Sequence, residues 1–277
     1  MNNPVNAVVL TLNERENLER CLGSLRWCGR ICVVDSGSSD GTCEAAAALG
    51  AEVFAHHQEG VFRISDQRNW CLDNCGFPLG SWVLFLDADE SIPANLVSEI
   101  CSATALGGAF DGYEMTPRYL FWGRWLKRTQ GFPNWHPRLV RVGSIRFDGG
   151  VWEHFSGDSR IGRIVTPYDH YANSKGFSDW LDRHRRYSDW DAEKIVAFLG
   201  TGDAASLATT RKLKLRLLAA RLWPLRPLAR FFHMYFLRSG WLEGKESLVF
   251  CLLYTLYEFM VVVKIAERLR IQKQLPL

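Results

Sequence analysis

Several things are missing from this chain of 277 residues, and each absence removes a class of protein. No run of 18 uninterrupted apolar residues occurs, which argues against a plain multi-span membrane protein. No CxxC pair links the eight cysteines, at 21, 28, 32, 43, 71, 75, 101 and 251, and their spacing makes no zinc knuckle. The opening residues Met1-Asn2-Asn3-Pro4 carry no basic patch leading into an apolar stretch. A secretory signal is therefore not expected, and the cysteines read as reduced cytosolic thiols. No internal repeat and no low-complexity tract is found, which sets aside solenoids and compositionally biased tails.

What is present is globular: 47% hydrophobic and 23% charged residues, in a chain long enough to bury a core without disulfide staples. The net charge of +3 hides an asymmetry. Residues 211–277 hold thirteen Lys/Arg and four Asp/Glu, which leaves twenty and twenty-six for residues 1–210. A basic, apolar-rich tail on a slightly acidic body attracts an anionic surface, lipid or nucleic acid.

The first hundred residues alternate strands and helices. Residues 5–12, 31–34, 52–55 and 82–86 read as strands, and 42–49, 65–74 and 93–105 as helices. A helix also follows Asn13, where Leu18, Cys21, Leu22 and Leu25 recur at helical period. Asn13 with Glu16 three residues on has the capping-box spacing. Such alternation predicts a mostly parallel α/β sheet, with ligands beyond the carboxyl ends of the strands. Asp35, Asp87 and Asp89 fall at those ends. Two carboxylates spaced Asp87-x-Asp89 can converge on one divalent cation, and hard oxygen donors suit Mg²⁺ or Mn²⁺, which bridge phosphates. A bare Asp-x-Asp also occurs in ordinary turns. The Ser-Gly-Ser-Ser-Asp-Gly loop after Asp35 adds weight, because its glycines allow a ligand close approach.

The segments "VVLTLNERENLERCLGSL", "VVDSGSSDGT" and "WVLFLDADE", in this order and spacing, resemble the family 2 glycosyltransferases of the GT-A fold. The resemblance implies a Rossmann-like, mostly parallel sheet flanked by helices, and inverting sugar transfer from a nucleotide-sugar, with UDP the family's usual nucleotide. Carried over by position, it implies that Thr11, Glu14 and Asp35 contact the nucleotide base and that Arg68 lies next to the nucleotide. It places Asp87 at the ribose and sugar and Asp89, with Asp87, on the metal. Displacement at the anomeric carbon needs the diphosphate neutralised and a general base for the acceptor. Aspartates turned away from any cleft, or tied up by neighbouring arginines, would overturn the transferase assignment.

Many family members carry that base in a Glu-Asp pair after the metal strand, and residues 91–210 contain no such pair. The segment Gly149-Gly150-Val151-Trp152-Glu153-His154 instead resembles the Val-His-Glu segment of the lipopolysaccharide core β-1,4-glucosyltransferases, with Trp152 where that subgroup has His. Glu153 is the expected base. The competing reading is a carboxylate that only orients acceptor hydroxyls, and His154 is a lesser candidate. Residues 113–120, 138–142, 144–147 and 164–168 read as short strands of a mixed extension, and 177–198 as a helix. Arg138 and Arg141 would point to opposite faces, so at most one meets a given phosphate, and Arg138 is taken as a donor contact. Phe121, Trp122, Trp125, Phe132 and Trp135 make either an acceptor-side loop or core. His170, His184 and Tyr187 match subgroup positions, with no role legible beyond packing.

The tail reads as helical over 211–270, with cations interleaved among leucines and no acid between 211 and 242. Residues 248–263 are apolar except for Thr255 and Glu258. Sixteen helical residues reach about 24 Å, short of a hydrocarbon core of about 30 Å. Glu258 would also be costly at its centre, so an interfacial or re-entrant helix pair is expected rather than a span. A soluble helical cap is the other reading. No nucleic-acid-reading motif is present.

The expectation is thus a catalytic domain over 1–205, with a nucleotide-sugar half 1–108 and an acceptor half 109–205, and a membrane-associating tail over 206–277. It would act at the cytoplasmic face of the inner membrane, peripheral or monotopic, moving glucose or another hexose onto a membrane-anchored glycan such as lipopolysaccharide core or a lipid-linked saccharide. The alternatives are a polyprenyl-phosphate sugar synthase, whose ionised acceptor needs no base, and a catalytically silent glycan-binding scaffold.

Overall fold

The computed structural model describes residues 5–59, 63–105, 109–149, 153–157, 159–200 and 222–277. The chain packs as two compact units, Met1–Leu120 with Phe132–Ser174, and Phe121–Gly131 with Lys175–Leu277.

In chain order the first unit contains β1 (Val5–Thr11), α1 (Arg15–Gly23), β2 (Ile31–Asp35), α2 (Thr42–Ala48), β3 (Glu52–Ala55), α3 (Ile64–Asn74) and β4 (Trp82–Asp87). These are followed by β5 (Glu90–Ser91), α4 (Ala94–Ala103) and β6 (Gly112–Phe121), whose last residue falls in the second unit. After β7 (Arg124–Trp125), which belongs to the second unit, come β8 (His136–Arg141), β9 (Arg146–Asp148), β10 (His154–Ser156) and β11 (Ile161–His170). The main sheet runs β3-β2-β1-β4-β8-β6-β11-β5, and β9 and β10 form a separate antiparallel ribbon.

Side-chain alternation explains why the central strands are apolar throughout. Val5, Ala7 and Val9 of β1 with Leu84 and Leu86 of β4 face Leu18, Cys21 and Leu22 of α1 and Leu96 and Ile100 of α4. Val8, Val83 and Phe85 face the other way, onto Cys71 and Leu72 of α3. Burying each such Leu, Val or Phe contributes about 1.5–3 kcal/mol.

The strands and helices expected over residues 5–105 are present with small shifts at their ends. The sheet is parallel over β3-β2-β1-β4, as expected, and its extension is mixed, with β8 antiparallel between β4 and β6 and β5 antiparallel to β11. Strands β6 and β8 are joined without a helix and pair antiparallel, whereas β6 and β11, with β7 to β10 between them in sequence, pair in parallel. The capping box does not form. Asn13 sits at φ 57°, takes a bond from the Ser39 N–H at 2.8 Å, and its own N–H donates to Ser38 Oγ at 2.7 Å. It ties the end of β1 to the loop after β2, and Glu14 precedes the helix without a side-chain cap.

The second unit contains α5 (Gly176–Gly200), a 3-10 turn Trp223–Leu225, α6 (Arg226–Phe232), a π turn His233–Leu237, a 3-10 turn Gly240–Glu243 and α7 (Gly244–Gln272). Ala192 and Val196 of α5 pack on Val261 and Ile265 of α7. Helix α5, expected with the catalytic half, therefore groups with the C-terminal region. The expected boundary at 205 and the cationic segment 211–221 lie outside the described residues.

The apolar stretch 248–263 is the middle of a helix of 29 residues, about 44 Å long. Gly240–Gln272 is long and apolar enough to cross a membrane by length and composition, with 28% of its most apolar window buried. The expectation that this stretch is too short to span is thereby corrected on length alone. The Glu258 penalty is also offset: its carboxylate, 2% exposed, receives Arg226 at 2.7 Å and Arg230 at 2.7 Å.

Candidate active site

The first strand-end acid, Asp35, is enclosed by its own loop. Oδ1 accepts from the Thr11 hydroxyl at 2.8 Å and from the Ser38 hydroxyl. Oδ2 accepts from the N–H groups of Gly37 at 2.9 Å and Ser38 at 2.7 Å. Gly37, at φ 103°, supplies the left-handed turn that aims these donors. Burial pushes the Asp35 carboxyl up, but the bonds from Ser38, Thr11 and Gly37 outweigh it and hold the group below the usual carboxylate range. Thr11 and Asp35, both expected at a nucleotide base, are bonded to each other and buried. Glu14 lies at the same rim, half-buried, and accepts from Asn17 Nδ2 at 2.7 Å.

The second strand end is built differently. Asp87 faces two guanidinium groups, Arg68 at 3.5 Å from Oδ1 and Arg138 at 3.2 Å from Oδ2. Burial opposes ionisation of Asp87, but the charges of Arg138 and Arg68 prevail and hold it well below the ordinary range. Arg68, on α3, is 1% exposed; its Nη1 meets Glu153 Oε2 at 2.7 Å and donates to the Pro137 carbonyl at 2.9 Å. Arg138, on β8 and 5% exposed, donates through Nη2 to Glu90 at 2.6 Å and through Nε to the Tyr168 hydroxyl at 3.2 Å. Glu90 is fully buried and its other oxygen accepts the Asp87 N–H at 3.0 Å. Burial, opposed by Arg138, pushes Glu90 up to about 7.

Three of the expected site residues share this charge cluster. Arg68 and Arg138 were expected at the nucleotide, yet both are buried and engaged with carboxylates. Asp87 was expected as a co-ligand of the metal, but both its oxygens face guanidinium groups. The arginine pairing named as adverse to the transferase assignment is therefore real for Asp87.

Asp89 is placed otherwise. Its Oδ2 lies 3.4 Å from His170 Nε2, and the two side chains are 20% and 19% exposed. His170 ends β11, and its Nδ1 lies 3.8 Å from Glu90. Burial would lower the His170 pKa, but Asp89, Glu90 and Asp87 outweigh it and raise it to about 9. An oxygen and an imidazole nitrogen at a partly open position suit Mn²⁺, and Mg²⁺ less well. Among the described residues no group of three or more His, Cys, Asp or Glu side chains could hold a metal. The donor set would suit a cation that takes further ligands from outside the protein, and does not fit a closed protein cage.

Glu153 sits just before β10. One oxygen is held by Arg68 and the other, Oε1, is buried with no partner among the described residues. Burial pushes its carboxyl up, against the charges of Arg68 and Arg138. Trp152, beside it in sequence, lies outside the described residues. His154 is exposed and lies 3.9 Å from Asp148, away from this cluster. Arg141 is exposed, as expected for the face opposite Arg138. The aromatic run divides: Phe121 is core, Trp122 is 68% exposed, and Trp135 stacks under Arg163 at 4.8 Å. Sequence reasoning gave no role to Glu90 or Tyr168, and none beyond packing to His170. The one available signal was Glu90 directly following Asp89 at a strand end.

A mixed sheet flanked by helices, with its acids gathered beyond the carboxyl ends of β2 and β4, defines a GT-A-like glycosyltransferase architecture. Residues 7–162 match Glycosyl transferase family 2, and the chain belongs to that family. It is 25% identical to the lipopolysaccharide core biosynthesis glycosyltransferase LpsC of Rhizobium meliloti (strain 1021), over 96% of this chain and 93% of that protein. It is 32% identical to an uncharacterized glycosyltransferase of Rickettsia bellii (strain RML369-C), over only 35% of this chain and 31% of that one. A solved structure of glucosyl-3-phosphoglycerate synthase from Mycobacterium tuberculosis, in complex with Mn²⁺, uridine-diphosphate and phosphoglyceric acid, is 18% identical with a TM-score of 0.45, covering 64% of this chain and 73% of that one.

Proposed function

We propose that the protein is an inverting hexosyltransferase that moves glucose or another hexose from a nucleotide-sugar, UDP-linked, to a membrane-anchored glycan of the lipopolysaccharide-core type. The observation that carries the acceptor class is the end-to-end likeness to an enzyme named for lipopolysaccharide core biosynthesis. Asp89 and His170 would hold the divalent cation, which when bound neutralises charge on the leaving diphosphate. Thr11, Glu14 and the Asp35 loop form the nucleotide end of the site. Asp87, held in place by its two arginines and partly exposed, would meet the ribose and sugar.

Glu153 acts as the base. With Oε2 held by Arg68, Oε1 takes the proton of the acceptor hydroxyl as that oxygen bonds to the anomeric carbon. The bond from that carbon to the diphosphate breaks on the opposite face, so the configuration inverts. The protein sits at the cytoplasmic face of the inner membrane. Leu252, Leu256, Phe259 and Val263 form an exposed apolar stripe along α7, and the basic region 211–270 favours an anionic leaflet.

The test is a panel of nucleotide-sugars offered with a lipopolysaccharide-core acceptor in the presence of Mn²⁺, read by nucleotide release and by the anomeric configuration of the product. An inverted glycoside on the core acceptor supports the reading; transfer only to polyprenyl phosphate, unaffected by Glu153→Gln, overturns it.

A further inference from the structure

We infer that Arg68 is a positioning residue that sets the acceptor base against the donor-side carboxylate, and that it does not bind the nucleotide. The inference rests on the proposed role of Glu153 as base. Arg68 is the one buried cation that touches both Glu153, at 2.7 Å, and Asp87, at 3.5 Å, among the described residues. Its surroundings fix the guanidinium plane. The Pro137 carbonyl accepts from Nη1 at 2.9 Å, and the rings of Phe85 and Phe147 lie 5.6 Å and 5.4 Å from its carbon. With its side chain 2% exposed, it has no surface to offer a phosphate.

The arrangement answers a problem set by the position of Glu153. The carboxylate leaves the short segment before β10 and belongs to no helix or long strand, so its own backbone aims it poorly. Arg68 stands on α3, whose Cys71 and Leu72 are embedded in the core, and Asp87 ends the central strand β4. A guanidinium fork with five donors can hold two carboxylates at a fixed mutual angle, which a lysine ammonium cannot do. One oxygen of Glu153 is thereby fixed, and the other, Oε1, is buried with no partner among the described residues. A displacement of about 1 Å of such a base costs about 100-fold in rate.

The test compares Arg68→Lys, Glu153→Gln and the double variant in the full-length protein, measuring kcat, KM for donor and acceptor, and donor affinity by calorimetry. Arg68→Lys is expected to lower kcat about 100-fold with donor affinity within about threefold of the parent. In the Glu153→Gln background the same substitution should add less than about threefold, since it acts through a group already removed. A loss of donor affinity of tenfold or more in Arg68→Lys, or full additivity in the double variant, overturns the inference while leaving the base in place. Near-parental turnover of Glu153→Gln overturns the base reading instead. Should Arg68→Lys not fold, Phe147→Leu removes one aromatic face from the guanidinium; kcat lower by about fivefold at unchanged donor affinity supports the inference, and unchanged kcat contradicts it.

Discussion

Asp35 and Asp87 end neighbouring regions of one sheet, and both carboxyls are held below their ordinary range, by opposite means. Asp35 is stabilised by neutral dipoles, nearly all supplied by the three residues that follow it. Asp87 is stabilised by two full charges that arrive from α3 and β8, 19 and 51 positions away in sequence. The first end is a self-contained loop that any ligand must meet at its rim. The second is the middle of a buried chain of alternating charge, Glu153–Arg68–Asp87–Arg138–Glu90, in which moving one member disturbs the next. The lesson is that two acids of equal sequence prominence can have different chemistry, decided by where their counter-charges come from.

The comparison can be tested by substitution. The largest effect is expected for Glu153→Gln, with kcat reduced about 1,000-fold and donor affinity nearly unchanged, measured by steady-state kinetics and calorimetry. Next is Glu90→Gln, which leaves the buried Arg138 with Asp87 alone and should cost about 3 kcal/mol in chemical denaturation above pH 7, where Glu90 is ionised, and less below it. Asp35→Asn, which loses bonds only from neutral donors, should cost about 1–2 kcal/mol in the same experiment. Equal losses for these two would break the contrast.

The smallest effects are in pH dependence. A raised Glu153 pKa means the base is protonated at pH values where an ordinary Glu is ionised. The acid limb of kcat/KM should therefore fall above the ordinary glutamate range and disappear in Glu153→Gln. His170, raised to about 9, must lose its proton to bind a cation, so Mn²⁺ affinity should rise with pH up to that value. In the metal-free protein the same group binds its proton more tightly folded than unfolded. Its stabilising contribution is complete below the ordinary His range and is lost as pH rises through about 9.

The same contrast explains what the sequence could disclose. The β1, β2 and β4 strands and the Asp35 loop were legible because hydrophobic alternation and turn chemistry are local. Arg68 and Arg138 were expected at the nucleotide, but their carboxylate partners were not foreseen, because nothing local tells whether an arginine on α3 or β8 points to solvent or to a carboxylate. Glu90 and His170 were passed over for the same reason: their pairing joins β5 to β11, 80 positions apart. In the second unit, Glu258 looked prohibitive within an apolar stretch until Arg226 and Arg230 were found on it.

The most direct measurement is calorimetric titration of UDP into the protein with and without Mn²⁺, for the parent, Asp89→Asn and His170→Ala. The account predicts UDP binding at least tenfold tighter with Mn²⁺ in the parent, with that gain lost in Asp89→Asn and reduced in His170→Ala. UDP binding that ignores the cation, or a full Mn²⁺ response in Asp89→Asn, would contradict the placement of the metal at the tip of β4.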